Sequence, residues 1–334
     1  MRRFLDNGYA DIESILSVGV PFIFVIGGRG TGKTYGALKY CIEHKTKIML
    51  MRRTQSQADL INKQEFSPFK AVASDLAVDI SVETVNKYSS AFYLDELCLG
   101  YSCALSTVSN LRGFDASDIE LLIYDEFIPE KHERTIKNEG SALLNAYETM
   151  NRNRELKGDK PLQVLALANA FDIANPIFRD LGLINICEKM KQKGNPVYVN
   201  KQRGLCVVML DGSRISDQKK QTALYKLTEN NSFNEMALAN DFAYNDDSGI
   251  KSQNIKDYKI KCGVGDIYIY KRRSGSKYYI TEFKSGSCDY YSGDDVEVSR
   301  FLKKYGRSLH AAYMKRNMIF ENMLAKSLFE WYIL

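Results

Sequence analysis

The sequence predicts an α/β protein in which a mainly parallel sheet is followed by a smaller α+β unit. Three observations favour this class. Short apolar runs alternate with segments of helical period, a glycine-rich motif joins the first run to the first helix, and the alternation fades after about residue 190. We therefore expect a first domain at 1–190, a linker subdomain at 191–250 and a C-terminal domain at 251–334.

Four apolar runs are typical of buried parallel strands, because they are short, continuous and rich in β-forming residues. They lie at 21–26, 47–51, 119–124 and 162–168. Residues 78–85 and 91–97 alternate between polar and apolar types, which indicates half-exposed strands. Helices are expected at 33–41, directly after the glycines, and at 138–154, where apolar residues recur at helical spacing.

The segment 194–254 is polar, which favours a linker or a small subdomain. Beyond it, the runs 266–270 and 277–280 flank a turn of glycine and serine, a pattern that predicts a β-hairpin. Residues 309–334 have the spacing of an amphipathic helix. We therefore expect a second unit of the α+β class.

The composition narrows the classes of function. Seven cysteines are scattered without a C-x-x-C pair, so neither a zinc site nor a disulfide framework is favoured. No apolar stretch is long enough to cross a bilayer and no signal core follows the basic start, so we expect no membrane attachment and no secretion. Residues 251–334 hold 16 basic and 9 acidic residues, which favours a polyanionic partner or, alternatively, a solvated basic face.

A phosphate-binding motif follows the first predicted strand. The pattern G-x-x-x-x-G-K-[ST] is met by Gly27, Gly28, Arg29, Gly30, Thr31, Gly32, Lys33 and Thr34. The glycines let backbone N–H groups fold around phosphate oxygens, and the following helix points its N-terminus at the same anion. Lys33 is expected to reach the β- and γ-phosphates of ATP, and Thr34 to hold Mg²⁺. The alternative is a plain glycine-rich turn.

Two adjacent carboxylates end the predicted strand at 119–124. Asp125 follows Lys33 by 92 residues and is expected to bind Mg²⁺, directly or through water. Glu126 is expected to accept a proton from the attacking water as a general base. Acidic residues often cap strands, so the pair is weak evidence alone. Together with the glycine-rich motif it indicates hydrolysis.

Further polar residues end predicted elements. Arg152 and Arg154 follow the helix at 138–154 and could stabilise charge on a transferring phosphoryl group, although basic residues there also suit the helix dipole. Asn169 ends the next strand and could sense the γ-phosphate, orient water or form a turn. Arg52 and Arg53 end the second strand. They could contact nucleotide, contact an adjoining subunit or be solvated.

These pieces, in this order, resemble the phi29-like bacteriophage DNA packaging ATPases. The resemblance lies in the runs 25–33, 51–53, 124–128, 138–145, 152–155 and 168–170. It continues through 210–212 and 312–329, so it covers nearly the whole chain.

The resemblance implies a RecA-like ASCE P-loop ATPase domain, a linker and a small, vestigial RNase H-like nuclease domain. It implies a homopentameric ring in the host cytoplasm that works transiently at the portal vertex of an empty prohead, with a packaging RNA between portal and motor. ATP hydrolysis would then drive double-stranded DNA into the capsid. By position, it also makes Lys33 and Thr34 nucleotide-binding residues, Asp125 the Mg²⁺ partner and Glu126 the catalytic carboxylate.

Basic residues that act across subunits are also implied. Arg152 falls where the family places its arginine finger, which acts on the ATP of the neighbouring subunit, and Arg154 follows it in the same run. Arg112 occupies the place of a second basic residue that acts in trans, although the residues around it differ from the family pattern.

Related large terminases cut DNA with a cluster of acids in the second domain. Candidates here are Asp266, Glu282, Asp289, Asp294 and Asp295. Their surroundings are basic and tyrosine-rich, with Lys271, Arg272 and Arg273 in the predicted hairpin turn, which suits nucleic-acid contact better than cleavage. We predict no nuclease activity. A terminase with an active nuclease, and a nucleotide switch or adaptor with slow hydrolysis, remain as alternatives.

Overall fold

The computed structural model describes residues 1–111, 115–130, 133, 136, 138–170, 172–228 and 248–334. The chain forms two compact units. The first consists of Met1–Asp180 and Met190–Tyr244, and the second of Leu181–Lys189 and Asn245–Leu334. Among the described helices, none combines the length and the apolarity needed to cross a bilayer.

The first unit is built on a nine-stranded sheet. In chain order its strands are β1 (Phe22–Gly27), β2 (Ile48–Arg52), β3 (Ile80–Asn86), β4 (Ser89–Leu94), β5 (Leu97–Ala104), β6 (Leu121–Asp125), β7 (Gln163–Asn169), β8 (Val197–Asn200) and β9 (Leu205–Leu210). The spatial order is β3-β4-β5-β2-β6-β7-β1-β9-β8. Strands β5, β2, β6, β7, β1 and β9 run parallel, and antiparallel strands border this block. The carboxyl ends of β1, β2, β6 and β7 therefore meet at one edge.

Several helices of the first unit bury apolar residues in the same core as the large sheet. In chain order the α-helices as far as residue 228 are α1 (Ile12–Leu16), α2 (Lys33–His44), α3 (Gln55–Ile61), α4 (Lys70–Leu76), α5 (Glu139–Asn151), α6 (Pro176–Asp180), α7 (Ile184–Lys193), α8 (Arg214–Lys219) and α9 (Ala223–Leu227). Helix α2 buries Ala37, Leu38 and Cys41 in the same core as the β1 residues Ile23 and Val25. Burial of these side chains holds the start of α2 at the end of β1.

The sequence-based strands of the first unit lie within a few residues of the observed ones, but three strands are additional. Residues 197–210 were expected in a linker subdomain at 191–250, whereas β8 and β9 belong to the large sheet and β9 pairs directly with β1. The physical reason is that every residue from Leu205 to Leu210 is buried, although polar segments surround this apolar run. The chain passes between the two compact units after Asp180, after Lys189 and after Tyr244, so residues 191–244 belong to the same unit as the large sheet.

The second unit contains a five-stranded sheet. Its strands are β10 (Tyr258–Val264), β11 (Ile267–Arg272), β12 (Tyr278–Thr281), β13 (Asp289–Tyr291) and β14 (Met318–Phe320), in the spatial order β13-β10-β11-β12-β14. The α-helices described beyond residue 248 are α10 (Asp295–Phe301), α11 (Arg307–Met314) and α12 (Met323–Ile333). The predicted β-hairpin is confirmed, because β11 and β12 pair antiparallel.

The prediction of one continuous amphipathic helix over 309–334 is wrong. Helix α11 ends at Met314, and Arg316 adopts a left-handed backbone with φ +55°, which stops the helix. Strand β14 then pairs in parallel with β12, and the side chain of Asn322 caps α12. The apolar residues of this segment therefore serve two helices and a strand, which the helical spacing alone did not separate.

Candidate active site

The loop after β1 leads directly into α2. Its last residue, Gly32, is the N-cap of α2 and has the left-handed φ of +78°. A side chain here would be strained, and its β-carbon would lie 2.7 Å from the Tyr9 ring. Because glycine has no side chain that could cap the helix, the first N–H groups of α2 can serve a bound anion.

Lys33 is the first residue of α2 and is buried beneath this loop. Its Nζ donates to the main-chain oxygens of Gly27 at 3.0 Å and Gly28 at 2.9 Å. It also donates to Oδ1 of Asn169 at 3.2 Å, so the structure brings these two predicted residues together. Burial lowers the pKa of Lys33 to about 8, while the nearby charge of Asp125 opposes that shift.

Thr34 and Asp125 face each other across the carboxyl edge of the sheet. The Thr34 hydroxyl donates to Oδ1 of Asp125 at 2.9 Å, and Asp125 is almost fully buried at the end of β6. Hydroxyl and carboxylate oxygens are hard ligands of the kind that Mg²⁺ accepts, with water completing its shell. The contact between these two residues is therefore consistent with the cation-binding role that the sequence predicts for both.

Glu126 follows β6 in a left-handed conformation with φ +57°. Burial raises the pKa of its carboxyl, and Arg52 opposes this effect. The Arg52 guanidinium bridges both acids, with Nη1 2.7 Å from a Glu126 oxygen and Nη2 3.0 Å from a carboxylate oxygen of Asp125. Arg52 thus fixes the orientation of Glu126, which is none of the three roles that were expected from the sequence.

Arg53 is wholly buried and makes two hydrogen bonds to Glu139, at 2.7 and 3.1 Å. Glu139, the first residue of α5, also accepts from the Tyr124 hydroxyl at 3.1 Å. The expectation that Arg53 could be solvated is therefore wrong. This buried network fastens the end of β2 and the end of β6 to the start of α5, behind the candidate site.

The predicted residues of the loop and the two acids enclose one pocket of about 390 Å³. It is lined by Arg29, Gly30, Gly32, Lys33, Thr34, Tyr35, Asp125, Glu126, Ala168 and Asn169. Thr31 is buried, and its hydroxyl donates to the main-chain oxygen of Gly28 at 3.0 Å, which shapes the loop from within. The pocket combines amide donors, an ammonium and paired acids, a set that suits a polyphosphate with its cation.

The two arginines after α5 have different surroundings. Arg152 is the C-cap of α5, its side chain is 47% exposed, and its Nη1 lies 3.4 Å from Asp115. Arg154 turns back into its own subunit, where one guanidinium nitrogen donates to main-chain oxygens of Ala116, Ser117 and Ile119 at 3.0, 3.1 and 2.6 Å. This contact anchors the segment before β6. Arg112 lies outside the described residues.

In the second unit, Lys271, Arg272 and Arg273 were all expected in the hairpin turn. Lys271 and Arg272 are instead the last two residues of strand β11, and only Arg273 follows the strand. All three side chains are exposed.

Three of the five candidate acids of this unit have partners of their own. Asp289 pairs with Lys304 at 2.5 Å, Asp294 caps α10, and Glu282 accepts from Asn322 at 3.2 Å. Within the described ranges, no three acids, cysteines or histidines are grouped so that they could hold a metal ion.

Comparison with known proteins shows which family the chain resembles. The model of the family described as Podovirus DNA encapsidation protein (Gp16) matches residues 6–284. The DNA packaging protein of Bacillus phage B103 is 27% identical over 327 residues, which is 91% of this chain and 94% of that protein. The DNA packaging protein of Bacillus phage phi29 is 27% identical over 279 residues, which is 82% of this chain and 72% of that protein.

Two solved structures share the fold. The Phi-28 gp11 DNA packaging motor has a TM-score of 0.67 at 19% identity, covering 98% of this chain and 97% of that chain. The bacteriophage Phi-29 viral genome packaging motor assembly has the same TM-score and identity, covering 97% and 98%. The predicted fold class, an α/β domain with a mainly parallel sheet followed by a smaller unit, is confirmed. The resemblance drawn from the sequence motifs is also confirmed, and the chain belongs to the Podovirus DNA encapsidation protein (Gp16) family.

Proposed function

We propose that this chain is an ATP-hydrolysing motor that translocates double-stranded viral DNA into a preformed prohead. The observation that carries the proposal is the convergence of Lys33, Thr34, Asp125 and Asn169 on one pocket at the carboxyl edge of the parallel sheet. The family membership supports DNA as the cargo. Relatives described as DNA packaging proteins, and a neighbour described as a viral genome packaging motor, are consistent with it.

ATP supplies the phosphoryl group whose transfer to water releases the free energy for movement. The residues here fit that ligand, since the N–H groups at the start of α2 and the Lys33 ammonium can bind the phosphates. Thr34 and Asp125 would hold Mg²⁺. Asn169, which already accepts from Lys33, would orient that ammonium or the attacking water. These assignments use each side chain where the structure places it.

Glu126 would act as the general base. Its carboxylate can take a proton from water only when it is ionised, and Arg52 favours that form by placing a guanidinium 2.7 Å away. The same contact restrains the position of the Glu126 carboxylate. Arg52 also contacts Asp125, which would remain at the cation site. Arg52 is therefore a positioning residue.

A complete site would need a neighbouring subunit. Arg152 supports this, because it lies at the end of α5 with a half-exposed guanidinium that could stabilise charge on the phosphoryl group of an adjacent protomer. Arg112 is a second candidate for action in trans. Arg154 is a weaker candidate, since its guanidinium holds main-chain oxygens of its own chain. We propose a pentameric ring at the portal vertex, in contact with a packaging RNA and assembled in the host cytoplasm.

The second unit would bind nucleic acid or dock to the portal without cutting DNA. The exposed cluster of Lys271, Arg272 and Arg273 supports contact with phosphates. The pairing of Asp289 with Lys304 and the use of Asp294 as a helix cap support the absence of a nuclease centre.

The proposal is tested by ATP turnover with and without double-stranded DNA over a range of protein concentrations. We expect turnover per chain to rise with concentration as rings form, and to rise further with DNA. Lys33→Ala should remove both effects. Turnover that is independent of both DNA and concentration would contradict a DNA-translocating ring and favour a slow nucleotide switch.

A further inference from the structure

A second ammonium lies on the glycine-rich loop and comes from a distant part of the first unit. Lys219 is the last residue of α8, and its Nζ donates to the main-chain oxygen of Arg29 at 2.6 Å. A β-carbon on Gly30, where φ is +68°, would lie only 2.0 Å from this Nζ. The ammonium of Lys219 therefore lies directly against the middle of the loop, and glycine at position 30 makes room for it.

Lys219 is placed there by the start of its own helix. The N-cap of α8 is Ser213, which is buried and accepts from the main-chain nitrogen of Ile215 at 3.2 Å. The Ser213 hydroxyl also donates to the main-chain oxygen of Gly8 at 2.6 Å. Because α8 is fixed at this end, its last residue is directed to the loop by the fold.

The charges around the loop are unbalanced. Lys33 and Lys219 both lie against it, and the charge of Lys219 contributes to the lowered pKa of Lys33. Burial lowers the pKa of Lys219 as well. Arg29 pairs with Glu130, but no carboxylate pairs with Lys219 anywhere in the described part of the chain. Two partly desolvated ammonium groups beside one loop repel each other, and a bound polyanion would offset that cost.

We propose that Lys219 is a further phosphate-binding residue, which α8 contributes to the nucleotide of its own subunit. The inference rests on the proposed function, because it names one more residue of the same ATP site. It also explains why the loop carries glycine at position 30, and it ties the segment after β9 to the nucleotide site. The sequence motifs did not single out Lys219, since it lies far from the glycines along the chain.

The test is a calorimetric titration of the full chain with ATP and with inorganic tripolyphosphate, both in the presence of Mg²⁺. Tripolyphosphate has no base or sugar, so it reports on the phosphate contacts alone. A charged hydrogen bond of this kind contributes roughly tenfold to a hundredfold to affinity. We therefore expect Lys219→Gln to lower the affinities for ATP and for tripolyphosphate by similar factors in that range. Lys219→Arg, which keeps the charge, should restore most of the affinity.

Lys220→Gln is the matched control. Lys220 is the next residue, is exposed, and pairs with Asp217 at 2.7 Å, so its loss should leave both affinities unchanged. Equal binding by wild type and Lys219→Gln would overturn this inference and leave the proposed function standing. Failure of the wild type to bind either ligand would overturn the proposed function and this inference with it.

Discussion

Glu126→Gln is expected to reduce ATP turnover by roughly 10²- to 10⁴-fold while leaving ATP binding nearly unchanged. The amide keeps the size of the side chain and can still contact Arg52, but it cannot accept a proton from water. The phosphate contacts proposed for Lys33 and the loop do not involve position 126. A loss of turnover with retained binding would therefore separate the chemical step from nucleotide capture.

The pH dependence of turnover gives this prediction a second readout. Burial raises the pKa of Glu126, and a general base works only above its pKa, so wild-type turnover should fall as the pH drops through this raised value. Glu126→Gln should lose that acid limb together with the rate. Glu96→Gln, at an exposed position between β4 and β5, is the control and should keep both. Unchanged turnover in Glu126→Gln would favour the switch or adaptor alternative.

Arg152→Ala is expected to lower turnover in assembled rings by about 10³- to 10⁵-fold. The exposed ion pair of Arg152 with Asp115 contributes little to stability, so the folded subunit should persist. ATP binding by the isolated chain should also persist, because Arg152 is proposed to act on the ATP of the neighbouring subunit. Lys157→Ala removes a nearby exposed charge and should have no comparable effect.

Mixing two inactive variants tests whether Arg152 acts across subunits. An Arg152→Ala subunit retains an intact loop, and a Lys33→Ala subunit retains its arginine. Mixed rings should therefore contain some interfaces with a complete site and should regain part of the turnover. If mixtures at all ratios stay as inactive as the separate variants, the arginine does not act in trans.

Much of the fold could be predicted because its strands are continuous apolar runs that end in residues with distinctive chemistry. The runs before Gly27, Asp125 and Asn169 gave both the parallel strands and the edge where their ends meet. The run Leu205–Leu210 is equally apolar and fully buried, but polar flanks obscured it, and its pairing with β1 is a long-range contact that no local pattern encodes.

Site residues could be predicted where they lie within one motif or at the end of one strand. They could not be predicted where tertiary contacts bring residues from distant segments together. Arg52 was recognised only as a strand end. Its contact with Glu126 follows from the neighbouring positions of β2 and β6 in the sheet, which the sequence does not give. Lys219 reaches the loop through the anchoring of Ser213 to Gly8, a contact between segments far apart in the chain. Periodicity at 309–334 likewise could not locate the left-handed turn at Arg316.

The most direct test of the whole interpretation is a calorimetric titration of wild type and Lys33→Ala with ATP and Mg²⁺. We predict saturable binding by the wild type at one site per chain. The loss of the Lys33 charge should weaken that binding by at least about tenfold. A folded wild-type protein that takes up no ATP, or a Lys33→Ala variant that binds it equally well, would contradict the assignment of this pocket as the motor's nucleotide site.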